Sequence, residues 1–180
     1  VSDFMITELK SDPAIVFTTF GFTSITGPVL GVVVGGNVTT KLGGYNTKKT
    51  LIVTCILATM CVGCSTPIPF IPNFWVFTAF LWMLLFIGGF ILPALTGIML
   101  NTVQKDLKTT ANSLANLCYN LLGYLPAPFV YGAIYDLGEG GNSKSAMSAL
   151  MFTPVLCVIF ILSAAHLIIK SDILGYKSQK

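Results

Sequence analysis

The sequence predicts an all-α integral membrane protein of five transmembrane helices, on three observations. Hydrophobic residues make up 54% of the 180 residues and charged residues only 9%, where a soluble domain carries roughly 25% charged residues. Mean hydropathy is +0.81. The few charges fall between long uncharged runs instead of being spread along the chain. So few charges do not cover a water-facing surface, which excludes a soluble enzyme and, by the same numbers, a disordered chain. A β-barrel would show alternating segments of about ten residues, and these apolar runs are far longer.

Residues 1–12 read as the outer-side end of a preceding helix or loop, with an amphipathic piece from Phe4 to Leu9, and residues 13–180 as a five-span helical domain. The uncharged run from Pro13 to Thr40 holds the first span, about 14–36. The next uncharged run, Thr50 to Gln104, is too long for one helix of about 20 residues. It breaks at Pro67, Pro69 and Pro72, which remove backbone donors and stop helix propagation. This divides it into a second span, about 51–64, and a third, about 74–100. Lys105, Asp106 and Lys108 precede a fourth span, about 111–135; Asp136, Glu139 and Lys144 precede a fifth, about 146–169.

Five crossings place successive loops on alternate sides. One side then holds Lys41, Lys48, Lys49, Lys105, Lys108, Lys170, Lys177 and Lys180, the other only Lys10 and Lys144. By the positive-inside rule the lysine-rich side and the C-terminus are cytoplasmic. An outside start at Val1 with no signal peptide leads to the expectation of earlier spans in a longer protein. The chain has no arginine, which argues against a nucleic-acid partner. The expected partners are the lipid bilayer, a missing N-terminal half or other membrane subunits, and a small-molecule solute.

The first lysine-side loop carries Gly36, Thr40, Lys41 and Gly43, followed by Lys48 and Lys49. It resembles the loop of form G-x-x-x-D-[RK]-x-G plus a basic pair found in the major facilitator superfamily. Thr40 stands where that family has an acid, so the family's charge pairing is not carried over. An outside start, five spans and this loop between the first two spans resemble the part of such a transporter that follows its seventh helix. The resemblance implies the latter part of a six-helix C-terminal bundle. The stretch Leu121 to Asp136, with Pro126, Pro128, Gly132 and a terminal acid, resembles the eleventh helix of spinster-like or organic-anion-transporter-like members.

Polar side chains within the spans are the candidates for a solute path. Asn112, Asn116 and Asn120 repeat every four residues, so they share a helix face, flanked by Tyr119 and Tyr124. Asn116, Tyr119 and Asn120 are taken as path residues and Asn112 as a cap; Trp82 either lines the path or packs. Amides both donate and accept, which suits a hydrogen-bonding solute; interhelical hydrogen bonding is the alternative. Gly27, Gly31 and Gly35, spaced by four, form a helix-packing face. The resemblance implies that this face slides against the missing half during alternating access. Pro93, with Gly88, Gly89 and Gly97 near it, is a hinge or a static kink.

The spans hold no Asp, Glu or Lys, so no coupling carboxylate is evident here. His166 reads as interfacial. Cys55, Cys61, Cys64, Cys118 and Cys157 lie within spans and read as packing residues, with no metal or redox pattern and no cofactor. The sequon at Asn37 falls on the cytoplasmic side. The expected function is that of a non-enzymatic secondary transporter fragment moving a small solute by alternating access. The alternative is a transporter-derived structural subunit of a larger membrane complex without transport activity.

Overall fold

A computed structural model describes residues 1–45, 47–137 and 143–171. Asn46, Glu139, Lys177 and Lys180 lie outside them. The described residues form helices and turns, with no strand among them. A short helix α1 (Ser2–Thr7) precedes α2 (Pro13–Lys41), α3 (Lys48–Ser65), a 3₁₀ turn (Ile68–Phe70) and α4 (Phe74–Thr102). A second 3₁₀ turn (Lys105–Leu107), α5 (Lys108–Cys118), a π-helical stretch (Tyr119–Tyr124), α6 (Pro126–Leu137) and α7 (Ser143–Ser171) follow.

Among the described residues, four stretches are long and apolar enough to cross a membrane: Pro13–Lys41, Lys48–Phe70, Phe74–Thr102 and Ser143–Lys170. A helix of 29 residues, such as α2 or α4, measures about 44 Å at 1.5 Å per residue. That exceeds a hydrocarbon core of about 30 Å. The first, second, third and fifth expected spans thus match expectation in existence while differing in extent. α2 runs past Gly36 because no proline or glycine follows until Gly43. α3 starts at Lys48, so the pair of lysines lies in its first turn.

The expected single span 111–135 is divided. Pro126 has no N–H, and its ring crowds the carbonyl four residues earlier. The chain answers with a wider turn: the Leu125 N–H reaches the Asn120 carbonyl, five residues back, at 2.9 Å. This π-helical stretch separates α5 from α6, and neither piece alone has the length of a span.

Helix ends follow local chemistry. Asp12 caps α2 by accepting the Ala14 N–H at 2.8 Å, with Pro13 at the first helical position. Asn73 caps α4 by accepting the Trp75 and Val76 N–H groups at 3.0 and 3.3 Å.

The strongest pairing is α2 against α4. α3 packs on α4 and α7, α6 packs on α7, and α1 rests on α2 and α7. Gly27, Gly31 and Gly35 all face α4. A Cβ on Gly27 would sit 3.2 Å from the Leu85 Cβ. On Gly31 it would overlap the Phe86 carbonyl oxygen, and on Gly35 the Phe90 carbonyl oxygen. From the other side, a Cβ on Gly89 would come 2.9 Å from the Pro28 Cα. The face that the sequence assigned to a missing half is therefore covered by α4 of this same chain. α4 runs without interruption through Pro93.

Two apolar clusters mark the two ends of the bundle. Phe4, Met5, Val16, Ile68, Phe77, Met147 and Met151 join α1 to the starts of α2, α4 and α7; Phe4 stacks on Phe77 at 5.5 Å. At the opposite end Leu51, Ile98 and Ala165 meet, with Tyr45 and Ile168 against them. The start of α3 and the ends of α2, α4 and α7 thus share one end, with Lys41, Lys48, Lys49 and Lys170. The residues from α5 through α6 lead from this end to the other, where Tyr131 of α6 donates to Asp3 of α1 at 3.0 Å.

Gly31→Leu places a side chain on the backbone of α4. The expected loss is about 3 kcal/mol, the upper part of the overpacking range. Gly36→Leu, which meets open space, is expected to leave stability nearly unchanged. Unfolding of the two variants in detergent micelles checks the contrast.

Candidate solute path and motif loop

The asparagine stripe lies on α5 and the π-helical stretch. Asn112, Asn116 and Asn120 are all exposed, as are Tyr119 and Tyr124. The Asn120 side-chain amide donates to the Asn116 carbonyl at 2.8 Å. The Tyr119 N–H also reaches it. One amide hydrogen of Asn120 therefore serves its own helix. The stretch makes its principal contacts with the flanking helices α5 and α6, and among the described residues no hydrogen bond ties these amides to another helix. π-Helical turns are frequent at functional sites. Proline at 126, three residues after Gly123, was the sequence signal for this one.

Trp82 does not join that stripe. It lies half-buried in the α2–α4 seam, where its indole N–H donates to Thr26 Oγ1 at 3.0 Å. The Thr26 hydroxyl in turn donates to the Phe22 carbonyl at 2.8 Å. Trp82 stacks on Phe86 at 5.4 Å and 11° between planes, and Phe86 meets Phe90 edge-on at 6.3 Å. One turn before Trp82, the Thr78 hydroxyl oxygen is buried without a hydrogen-bond partner. A hydroxyl on a membrane helix usually bonds its own preceding turn. Thr26 does so and also accepts from an indole 56 positions away.

Residues of the motif divide between helix and turn. Gly36, Thr40 and Lys41 belong to α2. The Thr40 hydroxyl donates to the Gly36 carbonyl at 2.9 Å, so it serves α2 and caps no neighbouring helix. Gly43 (φ +97°) and Gly44 (φ +85°) occupy the left-handed region. The Gly44 N–H bonds the Thr39 carbonyl at 3.0 Å and the Gly43 N–H the Thr40 carbonyl at 3.2 Å. This is a Schellman closure, which needs a residue without Cβ after the cap. Thr47 and Thr50 then donate to the Gly43 and Gly44 carbonyls at 2.9 and 2.7 Å. The Tyr45 ring lies where a side chain on Gly97 of α4 would be. The loop is thus a short clamp between α2 and α3, seated on α4. The space between these three helices is only about 10 Å³.

Sequence reading missed a polar cluster at the other end. The Tyr131 hydroxyl lies 3.0 Å from Asp3 Oδ2 and 2.9 Å from the buried Ser143 Oγ. Lys144 and Glu8 approach to 3.9 Å beside it. The components are 128 and 12 positions apart, so no local pattern announces them. Among the described residues no group of His, Cys, Asp and Glu side chains converges to hold a metal, and the described cysteines are free thiols.

Residues 72–137, from just before α4 to the end of α6, match the model of the Organic Anion Transporter Polypeptide (OATP) family. The matched stretch contains Trp82, Pro93, the asparagine stripe and the π-helical turn. No curated protein and no solved structure matches the chain.

Gly43→Ala forces a Cβ into the left-handed region at a cost of about 1–2 kcal/mol. Loss of the clamp is expected to free the loop, raising protease cleavage between α2 and α3. Limited proteolysis of detergent-purified protein measures it, with Gly36→Ala as the unstrained comparison.

Proposed function

We propose that this chain forms part of a multi-pass secondary transporter that moves a small solute by alternating access. The observation that carries the reading is the match of residues 72–137 to a transporter family, over the segment holding the exposed asparagine stripe. The four long apolar helices support a membrane location. The helical segment 108–137 acts as the fifth crossing, since it joins the two ends of the bundle. Lysines gathered at one end support a cytoplasmic placement of that end and of the C-terminus. The five crossings then form the latter part of a major-facilitator C-terminal half.

In this reading Asn116, Tyr119 and Asn120 face the solute route. The matched family's name makes an organic anion the solute class. Asn120 keeps one amide hydrogen and its carbonyl oxygen for solute or water, while its other hydrogen fastens the π-helical turn. Neutral amide donors accept an anion without placing a permanent charge in the bilayer, which costs several kcal/mol. Trp82, held by Thr26, stiffens the α2–α4 seam so that the two helices move as one body.

Asn120→Cys, in the protein stripped of its native cysteines, is expected to react with a small water-soluble thiol reagent. Excess transported anion is expected to slow that reaction. A thiol that stays unreactive in every condition would remove Asn120 from the route. Reconstituted uptake by Asn120→Leu separates the roles further: a changed KM with intact folding fits a route residue. Absence of uptake by the wild-type protein would instead favour a structural subunit.

Sidedness has its own check. Cysteines placed at Lys48 and Lys144 are expected to label from opposite faces of sealed vesicles; labelling of both from one face would end the five-crossing arrangement.

A further inference from the structure

An open groove of about 320 Å³ runs between α3, α4 and α7 near the lysine-rich end. It lies apart from the asparagine stripe on α5. Leu51 and Ile98 form its inner wall, Ala164, Phe160 and Cys157 its outer edge. The Thr102 hydroxyl on its lining already donates to the Met99 carbonyl at 2.7 Å. The interior therefore offers almost nothing to a polar ligand. Phe160 is 72% exposed, so the groove opens sideways, toward hydrocarbon in a membrane.

Its length and its mouth define the occupant. The α7 wall extends from Cys157 to Ile168, about 16 Å at 1.5 Å per residue, roughly half of a 30 Å hydrocarbon core. That is the depth of one leaflet. Beyond the lining at the lysine-rich end, Lys48 lies one turn before Leu51 on the same face of α3, and Lys105 follows Thr102 by three residues. Asp106 is the acid at that end among the described residues, against Lys41, Lys48, Lys49, Lys105, Lys108 and Lys170. An apolar slot of one-leaflet depth under a basic rim complements a molecule with an acyl chain and a negative head.

We propose that this groove is a binding site for an anionic phospholipid of the lysine-side leaflet, one acyl chain lying between α4 and α7 and the headgroup phosphate between Lys48 and Lys105. The site makes no use of the solute route and stands whether or not the chain transports. A lipid seated there fills the gap between α4 and α7 beside Ala165, and so braces the end of the bundle at which Tyr45 docks.

Purified full chain in detergent micelles is titrated with dioleoyl phosphatidylglycerol or dioleoyl phosphatidylcholine and read by native mass spectrometry. The expected result is retention of one phosphatidylglycerol, preferred over phosphatidylcholine by about tenfold or more. Ala164→Phe, which fills the groove from its exposed edge, is expected to abolish retention. Lys48→Gln with Lys105→Gln is expected to erase the preference while the groove still takes a chain. A phosphatidylglycerol carrying a diazirine on its acyl chain is expected to crosslink to residues 157–168 of the unmodified protein, a readout that requires no variant to fold. Equal retention of the two lipids by the wild type, retention unchanged in folded Ala164→Phe, or crosslinks confined to other helices would each overturn the proposal.

Discussion

The contact of α2 with α4, backbone against backbone, is the constraint on which the bundle depends. Within hydrocarbon there is no hydrophobic force to drive helices together, since lipid tails are as apolar as leucine. Close approach must supply the attraction through dispersion, and three glycines on one face of α2, met by Gly89 on α4, allow it. Once α4 is fixed against α2, its other side presents Ile87 and Ile91 to Ala58 of α3, and Ile98 to Ala165 near the end of α7. The remaining helices assemble around α4.

Polar groups along these helices are settled locally before they are used elsewhere. Thr18, Thr26, Thr54, Thr59 and Ser163 donate to carbonyls one turn earlier, which spares the bilayer an unpaired hydroxyl. The same rule explains Thr40, whose hydroxyl stays within α2. Thr26 adds an indole from α4 to its own-turn bond, and Asn120 turns its side chain back to the Asn116 carbonyl.

The two ends of the bundle are built differently. The end near α1 is closed by aromatic and methionine packing, with Tyr131, Asp3 and Ser143 linked by hydrogen bonds above it. The lysine-rich end is looser: Leu51, Ile98 and Ala165 meet only as a small cluster, with an open groove alongside. Tyr45, delivered by a glycine-closed turn, covers part of that end by resting on Gly97. The proposed lipid would occupy what Tyr45 leaves open.

The sequence by itself determined the membrane class, the four long helices and the proline-marked break before α4, because charge spacing and proline chemistry act over a few residues. It also displayed the glycine repeat, a property of a local backbone. Only the tertiary structure decided what each face meets. α4, not sequence outside this chain, covers Gly31; Trp82 belongs to the α2–α4 seam, away from the asparagine stripe; Tyr131 finds Asp3 across the bundle. Helical periodicity tells which residues share a face, but a partner depends on crossing geometry and on contacts between residues far apart in the chain. The π-helical turn stands between these cases. Its cause, Pro126, was visible, but the choice of a widened turn over a kink rests on how α6 is held against α7 and α1.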